Sequence, residues 1–317
     1  MPKPRILFMG TPDFAVPALE GIVRSGYPVV GVVTQPDRPR GRGQSMAPPP
    51  VKVVAEGLGL AVLQPTRVKS PEFLKTFREL APDIVVVAAF GQILPPEIIR
   101  GPQQGCINIH PSLLPKYRGA APINWALIRG EEKTGVTIMR MDEGVDSGDI
   151  LLQEETPIAA DENFGELHDR LARKGAEMLL IALAMLGTGT LLPVPQNHAL
   201  ATLAPRLKRE DGMIHWGADA RSIVSLIRGL SPTPCAFTFF NGKVLKVYTA
   251  SVEPADVKEA PGTVVEAPST AIRVAAAGGY VLLKEVQLEG KKRLSVPDFL
   301  RGLRISPGDV LGQRCTA

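Results

Sequence analysis

The chain has 317 residues, 44% of them apolar, and carries 36 Lys/Arg against 32 Asp/Glu for a net charge of +4. That length favours two domains over one, with enough apolar chain for two cores. No apolar run nears the ~18 uncharged residues of a membrane span, the amino terminus leads into a strand and not a signal-peptide core, and three scattered cysteines (Cys106, Cys235, Cys315) exclude a disulfide framework and offer no zinc spacing. A cytoplasmic protein is expected, with no membrane attachment and no metal.

Residues 5–10 read as a buried first strand. Thr11 or Asp13 is expected to cap the helix that follows, with Phe14, Ala18, Leu19 and Ile22 on its apolar face. Val29–Val33 is a second apolar strand, and residues 84–89, rich in β-branched side chains, form a third that is buried on both faces. Helical patterns over Pro50–Gly57 and Pro71–Leu80 lie between them. This alternation predicts an α/β fold with a doubly wound, mainly parallel sheet, whose ligands bind beyond the carboxyl ends of the strands. Next come a strand at Cys106–His110, a helix near 122–129, and strands at 135–141 and 150–155. A long helix follows over 163–185, with Leu167, Leu171, Met178, Leu179 and Ala182 at helical spacing.

Residues 187–205, rich in Gly, Pro, Thr and Asn, read as a linker. Beyond it stand an amphipathic helix at 218–228 and short strands at 235–240, 243–251, 262–266, 271–275 and 280–287. Asn241-Gly242 is a hairpin signal between the first two. Five short strands predict a small β-barrel, an OB-like barrel being one candidate. The expected domains are 1–189 (catalytic), 190–207 (linker) and 208–317 (carboxyl-terminal).

Two nucleotide motifs fail. The first strand runs into Gly10-Thr11-Pro12-Asp13-Phe14 and not G-x-G-x-x-G, and there is no Walker loop. The four histidines (His110, His168, His198, His215) show no metal spacing, and His168, near Glu166 and Asp169, reads as a surface or packing residue. Cys106, the first residue of an apolar strand, reads as a core filler. Strand alternation puts Asn108 and His110 on one face. An amide donor beside an imidazole can clamp a developing oxyanion. Asp146, placed to orient the imidazole and support its charged form, completes a three-part site for acyl transfer.

In Asn108-Ile109-His110-Pro111-Ser112-Leu113-Leu114-Pro115, in Arg118-Gly119-Ala120-Ala121-Pro122-Ile123 and in residues 137–149 the chain resembles the folate-dependent formyltransferase family. The likeness includes Phe8-Met9-Gly10-Thr11-Pro12-Asp13-Phe14-Ala15, runs through residues 34–52 and enters the tail, so it covers nearly the whole chain. It implies 10-formyltetrahydrofolate as formyl donor, Asn108 and His110 as oxyanion donors, and Asp146 as the group that supports His110 and relays a proton. It places the pterin near Phe90, Gly91, Gln92, Ile93 and Leu94 and under Asp142, Glu143, Gly144 and Val145. His110, Pro111, Ser112, Leu113, Leu114 and Pro115 match the family's folate-contacting segment. The implied acceptor is the α-amine of methionyl initiator tRNA, and a monomer is expected.

Within Gln35 to Gln44, Arg38, Arg40 and Arg42 alternate with Pro and Gly in a loop too flexible for core. Arginines so placed suit phosphates and base edges. In the resemblance this loop reaches the acceptor end of the tRNA, with Arg42 in the matching position. Residues 1–204 hold 20 Lys/Arg and 21 Asp/Glu, whereas 205–317 hold 16 and 11, a net of +5. Arg206, Lys208, Arg209, Lys243, Lys246, Lys284, Lys291, Lys292 and Arg293 are therefore expected to meet an RNA backbone, the last three in a hairpin turn. Aromatic residues are few, so base stacking is not expected. The alternatives are the same chemistry on a sugar-nucleotide or glycinamide ribonucleotide amine, or hydrolysis of the same folate. The basic loop and tail argue against a small acceptor.

Overall fold

The computed structural model describes residues 2–40, 45–267 and 270–312. Arg42 and Cys315 lie outside the described residues. In chain order the first elements are β1 (Ile6–Gly10), α1 (Val16–Arg24), β2 (Val29–Val33), β3 (Arg38–Arg40), β4 (Ser45–Ala47), α2 (Pro50–Gly57) and β5 (Val62–Leu63). Then come α3 (Pro71–Leu80), β6 (Ile84–Ala88), α4 (Pro96–Arg100), β7 (Cys106–His110), α5 (Pro122–Ile128), β8 (Lys133–Arg140), β9 (Ile150–Pro157) and α6 (Phe164–Thr188). The rest are α7 (Ala220–Leu230), β10 (Ala236–Phe240), β11 (Lys243–Pro254), β12 (Val264–Glu266), β13 (Ile272–Ala276), β14 (Gly279–Leu288), β15 (Leu294–Ser295) and α8 (Val296–Gly302). Two compact units result. The first is Met1–Ala120, Lys133–Pro157 and His168–Ala204; the second is Ala121–Glu132, Ile158–Leu167 and Pro205–Ala317.

The first unit is built on a seven-stranded sheet in the order β5-β2-β1-β6-β7-β8-β9. The first four pairings in this order are parallel and the last two antiparallel, so only β8 runs against the rest. Every residue of β1, β6 and β7 is buried, as strands covered on both faces should be. Ser70 caps α3 by accepting the Phe73 N–H at 3.3 Å. The expected cap of α1 is absent: a 3-10 turn, Asp13–Ala15, precedes the helix, and the Thr11 hydroxyl donates instead to the Phe90 carbonyl at 2.9 Å.

The described part of the loop expected over Gln35 to Gln44 carries a strand that its composition did not signal. β3 and β4 pair antiparallel, with Arg38 opposite Ala47 and Arg40 opposite Ser45. The root of this hairpin is held by Asp37, whose carboxylate accepts from Gln64 Nε2 at 2.7 Å and Lys52 Nζ at 2.9 Å. The Gln64 and Lys52 bonds keep that carboxyl below the usual carboxylate range.

The segment expected to link the units is also ordered. As far as Ala204 it is bonded to the first unit, through an antiparallel bridge between Ile150 and Val194 and a parallel one between Arg118 and Leu203.

In the second unit the sheet runs β10-β11-β14-β13-β12, with β15 beside β14. All pairs are antiparallel, and no ladder joins β10 to β12 among the described residues. Asn241 (φ 49°) and Gly242 (φ 73°) make the expected turn between β10 and β11. α7, capped by the Asp219 carboxylate, buries Ile223, Ile227 and Leu230 with Leu245, Val247, Val281 and Leu283 of the sheet. Asn124 of α5 donates to the Gly229 carbonyl of α7 at 2.8 Å. Among the described residues no helix is long and apolar enough to cross a membrane.

Candidate active site

The site begins with how β7 is clamped. Its Ile109 faces α6 at Gly175, where a Cβ would come 2.6 Å from Ile109 Cγ2, so a larger residue there would push the helix away. The alternate residues Asn108 and His110 therefore share the opposite face. Both are buried, at 8% and 3% exposure. Among the described residues the Asn108 side chain makes no hydrogen bond. Its amide is therefore free to donate.

His110 is addressed on both ring nitrogens. Nε2 lies 3.0 Å from the Tyr117 carbonyl, which can only accept, so Nε2 carries a hydrogen and donates. Nδ1 lies 3.6 Å from Asp146 Oδ2. That oxygen also accepts the Gly119 N–H at 2.8 Å. Gly119 has φ +123°, and a Cβ there would come 2.6 Å from the Ala204 carbonyl oxygen, so this donor must be a glycine's. The structure thus sets Asp146 beside His110 and puts Asn108 on the His110 face of β7, although Asp146 is 38 residues from Asn108 in the chain.

The loop after His110 is braced from below. Ser112 is fully buried, and its hydroxyl donates to the Lys116 carbonyl at 2.7 Å. Thr137 of β8, also fully buried, donates to the Ser112 carbonyl at 2.6 Å and accepts from the Leu114 N–H at 3.3 Å. Gln153 of β9 donates to both Thr137 Oγ1 (2.8 Å) and the Leu114 carbonyl (2.9 Å).

The residues expected along the folate divide by burial. Phe90 and Leu94 are buried in an apolar core with Leu7, Phe73 and Ile98. Ser112 and Leu114 are likewise turned inward. Gln92 braces its loop, accepting the Val68 N–H at 3.0 Å. Gly91 (φ +87°) and Ile93, 89% exposed, remain on the open side. Pro111, Leu113 and Pro115 are half-buried. Asp142, Glu143, Gly144 and Val145 are all exposed. Asp142 accepts from the Ser147 hydroxyl (2.8 Å), and Glu143 pairs with Arg100 of α4 at 2.6 Å. Cys106 is wholly buried beside the Met141 sulfur at 3.4 Å, and burial pushes its thiol pKa up, which makes it a poor nucleophile. Among the described residues no three His, Cys, Asp or Glu are grouped as metal ligands.

Sequence reasoning assigned no role to Gln196, which lies in the segment read as linker. Its amide reaches the Asp146 and Gly148 carbonyls and accepts from Arg118. Arg118 stood in the matching text without a role. A lone glutamine among prolines has no periodic signal.

Of the residues expected to meet RNA, Arg38, Arg206, Lys208, Lys243, Lys291 and Lys292 are exposed and Lys246 half-buried. The backbone of Arg40 lies in β3. Arg293, also exposed, is engaged within the protein: it donates to both Glu285 oxygens (2.7 and 2.6 Å) and lies 4.2 Å over the Tyr248 ring. Its charge, though exposed, is matched by a carboxylate, so among the described residues Lys291 and Lys292 are the cations of that turn without an ion-pair partner.

Known proteins show the same two-part organisation. Residues 4–183 match the formyl transferase family model, and residues 206–304 match the formyl transferase carboxyl-terminal domain. The methionyl-tRNA formyltransferase of Syntrophus aciditrophicus is 55% identical over 98% of this chain and 100% of its own. That of Geotalea uraniireducens is 51% identical over 98% of each. Among solved structures, methionyl-tRNA formyltransferase from Clostridium thermocellum superposes with a TM-score of 0.55 at 19% identity, covering 81% of this chain and 99% of that one. HypX from Aquifex aeolicus in complex with tetrahydrofolic acid gives a TM-score of 0.65 at 18% identity over 98% of this chain, which spans 51% of HypX. At such identities the two structures speak for the fold alone. Sequence identity above one half over the full length, with both family models in their order, is decisive: the chain belongs to the formyl transferase family.

Proposed function

We propose that this chain transfers the formyl group of 10-formyltetrahydrofolate to the α-amine of methionyl initiator tRNA. The observation that carries the chemistry is His110 Nδ1 set 3.6 Å from Asp146 on the strand face that also presents the unpartnered Asn108 amide. The acceptor rests on the relatives named for methionyl-tRNA, which match over their full length.

The donor supplies an activated formyl group on nitrogen. The methionyl amine adds to the formyl carbon and forms the new C–N bond; the bond to the folate nitrogen then breaks, and a proton from the amine ends on that nitrogen. As the formyl oxygen turns negative, Asn108 donates its amide N–H to it. Nε2 of His110 is occupied by the Tyr117 carbonyl. Nδ1 is therefore the nitrogen that meets the oxyanion, and it carries a proton only in the charged ring. Asp146 stabilises that charge and, held by the Gly119 N–H, takes the proton leaving the amine and passes it on.

Fit to a flat donor is supported by Ile93 and Val145, two exposed apolar side chains on loops that the likeness assigns to the folate, and the Arg100–Glu143 pair ties α4 to the loop that carries Val145. Contact with tRNA is assigned to Arg38 and Arg40 of β3, to Arg42, and to Arg206, Lys208, Lys243, Lys246, Lys291 and Lys292 beyond residue 205. The assay is formyl transfer to charged initiator tRNA, with elongator methionyl-tRNA as control. Transfer to the initiator alone supports the assignment. Rapid formate release from the donor without tRNA would replace it with hydrolysis.

A further inference from the structure

The segment that leaves α6 touches the reaction site on both sides of His110. Gln196, 6% exposed, donates from Nε2 to the carbonyls of Asp146 (3.0 Å) and Gly148 (2.7 Å). Its Oε1 accepts from Arg118 Nη2 (2.6 Å) and Nε (3.2 Å). Arginine cannot accept and carbonyls cannot donate, so only one orientation of the amide satisfies these partners, and both its ends are used. Asp146 has φ 49°, in the left-handed region, where a residue with a Cβ stays only if its surroundings over-determine it. The two bonds from Gln196 supply that constraint.

On the other side, Thr202 Oγ1 accepts the Tyr117 N–H at 2.9 Å, and the Thr202 carbonyl accepts the Arg118 N–H at 2.9 Å. The Tyr117 carbonyl is the group that holds His110 Nε2. One strap, 196–204, thus fixes the partner of each imidazole nitrogen.

We propose that Gln196 is a positioning residue for formyl transfer, acting by pinning the Asp146 backbone so that its carboxylate stays beside His110 Nδ1. This rests on the catalytic assignment of His110 and Asp146 above. The test uses full-length protein carrying Gln196→Met, which keeps the side chain's length but neither hydrogen-bonding end. It is compared with wild type in formyl transfer and in heteronuclear NMR spectra of the histidine ring nitrogens. The expected result is a fall in kcat of about tenfold or more with the KM for donor and tRNA within about threefold. The His110 ring resonances should move while those of His215 stay. A kcat within about twofold of wild type would overturn the proposal. So would a fall in kcat with the His110 resonances unmoved. If Gln196→Met does not fold, Gln196→Glu, which retains the acceptor for Arg118 and loses the donors to the two carbonyls, is read the same way. If the wild type transfers no formyl group, the functional assignment fails while the ring spectra still decide whether Gln196 positions His110.

Discussion

Nδ1 of His110 stands 3.6 Å from Oδ2 of Asp146, and that oxygen is already held by the Gly119 N–H at 2.8 Å. The carboxylate is therefore fixed in place without a direct bond to the imidazole. Nδ1 is left with room for an acceptor, which in the proposed reaction is the oxygen that becomes negative during transfer. Asp146→Asn keeps an oxygen for Gly119 but removes the charge. It should lower kcat by about 10²–10⁴ with little change in donor KM. Asn108→Ala removes one oxyanion donor and should cost about 10²–10³ in kcat. Steady-state kinetics check both; a drop confined to KM would show that neither group acts on the transition state.

Much of this site could be read from the chain before any coordinates. Asn108 and His110 are two apart in a strand, and period-two alternation alone puts them on one face. The wholly apolar β6 and the β-branched β2 mark the parallel sheet in the same way. What stayed hidden has a physical cause. β3 and β4 are three residues each, too short for periodicity, and their pairing is fixed by Asp37, Lys52 and Gln64 at the root. The segment 190–204 has linker composition and no periodicity; what ties it down are two isolated backbone bridges and the side-chain bonds of Gln196 and Thr202 to groups distant in the chain. Burial likewise sorted Phe90, Leu94 and Ser112 away from the open face, a distinction that residue type does not carry.

Thr137 is the hub under the His110 loop, with three hydrogen bonds on one fully buried hydroxyl. Thr137→Val keeps the shape and strands the Leu114 N–H, the Ser112 carbonyl and one Gln153 donor. Each buried group left unpaired costs about 1–3 kcal/mol, so the variant should lose at least that much. The readout is the urea midpoint at unchanged m-value. Since the loop carries Pro111 to Pro115, a rise in donor KM should accompany the loss of stability.

The Arg293–Glu285 pair makes a claim about pH. The Arg293 hydrogen bonds hold the Glu285 carboxyl below its ordinary range in the folded protein. A depressed folded pKa gives stability that is present above the unfolded value and lost as pH falls through the folded one. Arg293→Ala should therefore be less stable than wild type at neutral pH. That deficit should shrink once the pH drops below about 4, where glutamates protonate in the unfolded chain. Denaturation midpoints of the two proteins across this range provide the comparison. A deficit that does not vary with pH would assign the loss to the Tyr248 stacking instead.

Lys291 and Lys292 adjoin that pair and, unlike Arg293, have no ion-pair partner among the described residues, which separates the roles of three adjacent exposed cations. Replacing both lysines by alanine should leave folding intact and weaken tRNA binding. The signature is in the salt dependence: each phosphate contact contributes a slope of about 0.7 to 0.9 in log K against log salt. If both lysines touch phosphates, the double variant's slope should be smaller by about twice that amount. Arg293→Ala should leave the slope nearly unchanged, because its charge is matched by Glu285 in the free protein. Binding measured over several salt concentrations distinguishes the two variants. Equal slopes for wild type and the lysine double variant would remove this turn from the RNA-binding surface and leave Lys243 and Lys246 as the cations to test next.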